Sequence, residues 1–508
     1  MEVNPMTHLK KLASLLLMAT LALNIGCSDD KKNDDGTGDD GTGPGPTDTR
    51  VELVGNILGT RKLSKDTVYV LKGFVNIQQG STLIIPAGTR IEGDFETQGA
   101  LLTVRGTGTP GNANYRPSGR IIANGTAQEP IVFTSERAQG NRRRGDWGGI
   151  VLNGLAPNNG PGGVLFGEGN TGAHGGTLPT DTSGTLRYVR VEFGGTKITP
   201  DNEINGFTFN SVGNGTVLEY LQAHYIADDA FEWFGGTVNC KYLVATGCDD
   251  DNFDIDNGYC GKIQFGVVVQ DRNLANRGYE VNNDGQGSNN RSSAPVSSLT
   301  SPIVYNVTMV GAGVSRANDD NNDGIYMRGN SQGQYWNQII VNFGGFGAVV
   351  DGAGSITQYR NDSLQVRNSI FANRGLLGLG FPADTVVVGA GVWGAFRRSS
   401  STGYDTVDAQ TGMNFFTKSA GRGNRNFTSR DGILRNVNYD NPMNGTKPDL
   451  RPAANSPALS GAANPTENPL DQTPRFAGDR TGFFQAVDYV GAMKDTDWTE
   501  GWTIWAIN

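Results

Sequence analysis

The sequence predicts an all-β chain wound as a single-stranded, right-handed parallel β-helix, a solenoid with loops inserted between its strands. Three observations predict it: a recurring interval, short alternating apolar segments and abundant glycine. ADDAFEWFGG at 227–236 is followed by CDDDNFDIDNG at 248–258. At one offset of 22 residues, Asp228 matches Asp250, Asp229 matches Asp251, Phe231 matches Phe253 and Glu232 matches Asp254. Tyr220–Leu221 matches Tyr242–Leu243 at the same offset. Intervals of this size signal stacked repeats, and this one suits a coil of three short strands and three turns. Residues one lap apart then lie about 4.8 Å apart, like over like.

The strand segments follow in order. TVYVLKGFVNIQQGSTLIIPAGTRIEG (67–93) alternates apolar residues between glycine and proline breaks. TLRYVRVEFGG (185–195) puts Val189, Val191 and Phe193 on one face and Arg190 and Glu192 on the other. SPIVYNVTMVGAG (301–313), NQIIVNFGG (337–345) and SLQVRNSIFANRG (363–375) repeat the theme. Such segments are strands with one buried face. The step from Leu186 to Leu218 is 32 residues, which implies loops inserted between coils. Glycine makes up 73 of 508 residues, about twice ordinary usage, as turn-rich chains require. A sandwich or propeller also joins short strands by turns, but neither accounts for one fixed offset.

Ahead of the strands, Lys10 and Lys11 precede the apolar run LASLLLMATLALNIG, and Cys27 follows directly. A short basic start, an apolar stretch and a small residue describe a secretory signal. The cysteine after Gly26 sharpens this to a lipoprotein signal over 1–26, with the Cys27 thiol lipidated and held in the outer membrane. Residues 27–50 are acidic and glycine-rich, and read as a flexible tether. Residues 51–508 form the β-helix domain. Its last part, about 440–508, reads as a cap closing the coil end, with Trp498, Trp502 and Trp505. A net charge of −9 excludes a nucleic-acid surface, and Arg142–Arg144 reads as a solvated basic loop. An exported chain can oxidise its thiols. Cys240 and Cys260, spaced near one coil length, are the candidate disulfide, with Cys240–Cys248 the alternative pairing.

GSTLIIPAGTRIEG, GTAQEPIVFTS, GDWGGIVLNGLAP, GTLRYVRVEFGG, DDAFEWFGG and CDDDNFDIDNGYCGKIQF occur in order, with PDLRPAANSPALSGA and DYVGAMKDTDWTEGWTIW at the end. In these motifs the chain resembles a family of exported bacterial β-helix proteins of the pectin-lyase-like type, common among Bacteroidota surface lipoproteins. The resemblance covers about 51–508. It implies the fold and a cell-surface address, and it carries over no catalytic residue.

The stacked acids are the candidate site. On a strand from 228, alternation puts Phe231 and Trp233 inside and Asp228, Ala230 and Glu232 outside. Asp228 then lies over Asp250, and Glu232 over Asp254. Two carboxylates 4.8 Å apart repel by about 3.5 kcal/mol at a near-surface dielectric. A hard cation such as Ca²⁺, taking six to eight oxygens, relieves this. Candidate ligands are Asp228, Asp229, Glu232, Asp250, Asp251, Asp254 and Asp256. DDNNDG at 319–324 adds Asp319, Asn321 and Asp323 from the opening of a calcium loop, although Asn330 stands where the twelfth-position Glu would be. The competing readings are a solvated acidic face and a catalytic pair. For catalysis, Asp228 and Glu232 are roughly 13 Å apart along a strand, too far for a glycosidase pair. His174 and His224 read as structural. Trp147, Trp233, Trp336 and Trp393 are sugar-stacking candidates whose default is core packing. The functional expectation is a non-enzymatic surface protein that binds a glycan or an outer-membrane receptor, stiffened by Ca²⁺. The alternative is a polysaccharide lyase or hydrolase using the same acids.

Overall fold

Strand pairing follows the interval read from the sequence. Phe231 pairs in parallel with Phe253, and Glu232 with Asp254. Leu221 pairs with Leu243, and the longer step sets Leu186 beside Leu218. The computed structural model describes residues 49–199, 202–274, 276–283, 299–313, 322–372, 394–397, 404–405, 407–408, 411, 413–427, 429–476 and 478–508. Within these, the chain is a right-handed parallel β-helix, the pairing between coils being parallel with few exceptions.

Each coil contributes to three sheets. The first contains Thr82–Ile85 and Arg120–Asn124, and the second contains Arg90–Gly93 and Ile131–Ser135. The third stacks Ala100–Thr103, Ile150–Asn153, Phe207–Asn210, Phe231–Phe234, Phe253–Asp256, Tyr279–Val281 and Ile325–Met327. Aromatic residues from this third sheet fill the coil: Phe207, Phe209, Phe231, Trp233, Phe253 and Tyr279 are all fully buried. Ala230 packs inside with them, whereas alternation placed it outside. The strand begins only at Phe231, so the alternation does not extend back to it.

The first and second sheets meet at a sharp corner. Strands Gly184–Glu192, Val217–His224, Asn239–Thr246, Lys262–Val269 and Ile303–Val310 each turn this corner. The corner residue is left-handed in every one: Tyr188 (φ 50°), Tyr220 (57°), Tyr242 (60°), Phe265 (64°) and Asn306 (59°). Asn337 (59°) and Asn368 (49°) continue the column. Left-handed geometry costs a non-glycine residue about 1–2 kcal/mol, and stacking offsets it here. The Tyr188 and Tyr220 rings lie 4.3 Å apart and nearly parallel, and Tyr220 and Tyr242 lie 4.2 Å apart.

Close approach between coils accounts for part of the glycine. A Cβ on Gly261 would sit 2.0 Å from the Val238 carbonyl oxygen, and one on Gly99 would sit 2.0 Å from that of Leu71. Only hydrogen fits there.

The C-terminal segment does not cap the coil end as the sequence suggested. It runs back along the flank as a strap, over the left-handed corner. Asn368 donates to Gly461 O, and Asn337 exchanges hydrogen bonds with Ala463. Asn306 donates to Tyr489 O and Gly491 O. Trp498 meets the Tyr242 and Tyr220 rings edge-on, and Trp502 meets Tyr220 and Tyr188. The physical reason is that the corner column presents aromatic faces and amides that only an overlying chain can satisfy.

The expected Cys240–Cys260 disulfide is not formed. Cys240, Cys248 and Cys260 are free thiols, and Cys240 stacks in register with Ile263 rather than with a cysteine. Arg144 is not a solvated basic residue either. Its guanidinium bonds Asp271 at 2.6 Å and Gly247 O at 2.8 Å, and lies over the Tyr225 ring. Among the described residues, no helix is long and apolar enough to cross a membrane. The signal, Cys27 and the tether through residue 48 lie outside the described residues.

Candidate functional site: a covered acidic column

The outer side of the third sheet carries a column of paired residues. Thr208 pairs with Glu232, Glu232 with Asp254, Asp254 with Glu280, and Glu280 with Tyr326. Stacking in register therefore brings three carboxylates onto one line. Turns leading into the strands supply more. Asp228 and Asp229 precede the strand at Phe231, and Asp250 and Asp251 precede the one at Phe253.

Two overlapping groups result. Asp228, Asp229 and Asp250 have carboxylate oxygens within 4.8 Å of one another, as do Asp229, Glu232 and Asp254. These acids are not a solvated face. Asp228, Asp229 and Glu232 are each less than a tenth exposed, and Asp250 and Asp254 are half-buried. Inserted loops do the covering. The hairpin of Lys197–Thr199 and Asn202–Glu203 packs Ile198 and Ile204 against Leu102 and Val151 on the outer side of the third sheet. The Gly169 N–H donates to Asn202, which ties a second loop to the first.

Burial with like charges shifts these groups strongly. Burial, then the Asp250 and Glu203 charges, pushes Asp228 well above the carboxylate range. Burial and Asp228 do the same to Asp229, burial and Glu168 to Glu232, and burial and Asp256 to Asp254. Glu168, reaching in from its loop, is raised to about 7 by burial and by Glu203. Asp251 is raised to about 7 by burial, against the pull of Arg277.

Cations are unevenly shared among the acids. Arg328 bonds Glu280 at 2.5 Å, and Arg277 pairs with Glu280 and lies 3.7 Å from Asp251. Lys197 pairs with Glu203 at 3.1 Å. Asn205 donates to Glu232 and Asn276 donates to Asp250, while the Lys197 charge reaches Asp228 and Asp250 from the hairpin. Asp254 Oδ1 is enclosed with no hydrogen-bond partner among the described residues.

Other predicted ligands divide. Asp229 accepts the Asp251 N–H at 2.8 Å, Asp251 accepts the Arg277 N–H at 2.7 Å, and Asp323 accepts the Phe346 N–H at 2.6 Å. These three do one repeated task, tying each turn to the next coil. Asp323 is the one predicted ligand of the calcium loop that the structure describes, and Asp319 and Asn321 lie outside the described residues. Asp256 is buried and accepts the Asn257 N–H. Glu168, Glu203 and Asn205 were missed, because loop insertions carry no period.

His174 and His224, the two histidines among the described residues, are held in the packing. His174 Nδ1 meets Ser211 Oγ at 2.9 Å, and burial lowers its pKa to about 3. His224 meets Thr246 Oγ1 and Ala506 O, and burial lowers its pKa to about 4. Trp147 and Trp233 are fully buried, Trp336 is half-buried, and Trp393 lies outside the described residues.

Coil, sheets and acidic column together define a parallel β-helix protein with an acidic, loop-covered outer face. The chain belongs to the family described as the pectate-lyase like beta helix domain, whose model matches residues 55–378. No curated protein and no solved structure matches it.

Proposed function

We propose that this is a lipid-anchored surface β-helix with a binding or structural role, whose acidic column holds a divalent cation, Ca²⁺ by its chemistry. The observation that carries the reading is the pair of overlapping carboxylate triads, each with its oxygens within 4.8 Å and largely buried. All-oxygen ligands at loose geometry suit Ca²⁺ over softer metals. Asp228, Asp229, Glu232, Asp250 and Asp254 would hold the ion, and the two covering loops would be locked onto the sheet by it. Cys27 would tether the coil to the outer membrane through residues 27–50, leaving the loop-decorated face to meet a glycan or a receptor.

The test is a thermal melt of the full chain in Ca²⁺ and in EDTA. EDTA should lower Tm in the native chain, and Asp254→Asn should remove that difference. Equal melting temperatures for the native chain in both buffers would overturn the cation. For the anchor, Cys27→Ala should move the protein out of the membrane fraction.

One observation favours a second reading, polysaccharide lyase or hydrolase chemistry: Asp229, Glu232 and Asp254 form a buried carboxylate group with raised pKa values in a pectate-lyase-like domain. Against it, retaining glycosidases need about 5–5.5 Å between carboxyls with a sugar between them, and the loops cover these acids. Depolymerisation of an acidic or neutral polysaccharide, lost in Asp254→Asn with Tm unchanged, would favour the enzyme.

A further inference from the structure

Where the strap crosses the first sheet, it inserts two acids beside a lysine of the coil. Lys262 opens the strand Lys262–Val269 and is fully buried. Its Nζ lies 2.9 Å from Asp471 Oδ1 and 3.4 Å from Asp479 Oδ1. The side chains of Lys262 and Asp471 expose nothing, and that of Asp479 exposes 1%. Nζ also donates to Arg480 O, and Asp471 Oδ1 accepts the Phe483 N–H at 3.3 Å. Asp471 Oδ2 has no hydrogen-bond partner among the described residues. On its far side, Asp479 Oδ2 accepts the Arg475 N–H at 3.1 Å and faces Arg475 Nε at 3.4 Å. Lys262 stacks on Ile303, which belongs to an apolar cluster with Tyr305, Phe484, Leu470 and Phe483.

Two features separate this group from an ordinary buried ion pair. First, one amine faces two carboxyls in a site closed to water, where every group is costly to bury. A desolvated lysine amine is a nucleophile. Second, amine and acceptor are held in contact by separate parts of the chain, so the reaction needs no further approach.

We propose that Lys262 and Asp471 become joined by an isopeptide bond that ties the strap covalently to the coil. Lys262 Nζ, as the free amine, attacks Asp471 Cγ. Asp479 takes a proton from the nitrogen and delivers one to the departing oxygen. The new Cγ–Nζ amide forms, the Cγ–OH bond breaks, and one water leaves. No oxidant, metal or cofactor enters the balance. Asp479 touches the reacting nitrogen and is the catalytic residue of this step, and Arg475 positions it. The link falls outside the matched family region on the strap side and is independent of the acidic column.

The experiment is peptide mapping of the purified full chain by mass spectrometry. The expected product is one branched peptide joining the segment around Lys262 to that around Asp471, lighter by one water than the two together, with trypsin unable to cut after Lys262. Separate linear peptides carrying unmodified Lys262 and Asp471 as the main species would overturn the proposal. Asp479→Ala keeps both ends of the bond and should yield the linear peptides. A branched peptide in that variant would overturn the role of Asp479. Neither readout depends on activity, on Ca²⁺ or on recovering a folded Lys262 variant.

Discussion

At the scale of single residues, the acidic column makes a pH prediction whose sign can be worked out. Asp251 and Glu168 have folded-state pKa values of about 7, above their unfolded values, so the native state binds more protons between about pH 4 and pH 7. Stability is therefore fully present below the unfolded carboxylate range and is lost as pH rises through about 7. In EDTA, Tm should fall from pH 5 to pH 8. Ca²⁺ replaces the protons as counter-charge, so the fall should shrink when it is added. A flat or rising profile in EDTA would mean that the loops do not hold these acids out of water. The register of this column was legible in the sequence, since Glu232 over Asp254 needs only the offset. Burial was not legible, because the covering loops at 165–174 and 197–203 come from earlier coils and carry no period.

Among elements, the left-handed corner is the clearest structural device. Asn337 holds positive φ and makes two 2.8 Å hydrogen bonds to Ala463. Asn337→Ala loses a residue type tolerant of that geometry and both bonds, and should cost about 2–4 kcal/mol. Asn337→Gly keeps the geometry and should cost roughly half as much, by denaturant titration. Gly261→Ala meets the Val238 carbonyl at 2.0 Å, and should cost at least about 1–3 kcal/mol by forcing coils apart. The column of Asn306, Asn337 and Asn368 recurs every 31 residues, a signal present in the chain and overlooked beside the 22-residue one. Tyr188, Tyr220 and Tyr242 precede it in the same column, and the change from ring to amide hides their common role.

For the whole molecule, the strap decides what the coil shows to solvent. It covers Tyr188, Tyr220 and Tyr242 and closes an apolar cluster that includes Val244, Val267, Val490 and Trp502. Removing residues 449–508 should expose this strip and yield a chain that aggregates or is rapidly cleaved by protease, while one that stays soluble and protease-resistant would make the strap dispensable. The His224, Gln222 and Arg190 side chains would lose their partners Ala506, Ile504 and Trp502 in the same deletion.

Which residues stack is written in the chain, because a parallel coil repeats one vertical spacing and so records its register as a fixed offset. The chain also marks the strands, through alternation, and the need for close turns, through glycine. Where the inserted loops fold back, and which flank the closing segment takes, is set by packing across the wound coil. Those choices rest on contacts between residues tens to hundreds of positions apart, such as Glu168 with the acidic column and Asp471 with Lys262. No local propensity encodes such contacts, so the burial that gives these acids their chemistry emerges only once the coil is wound.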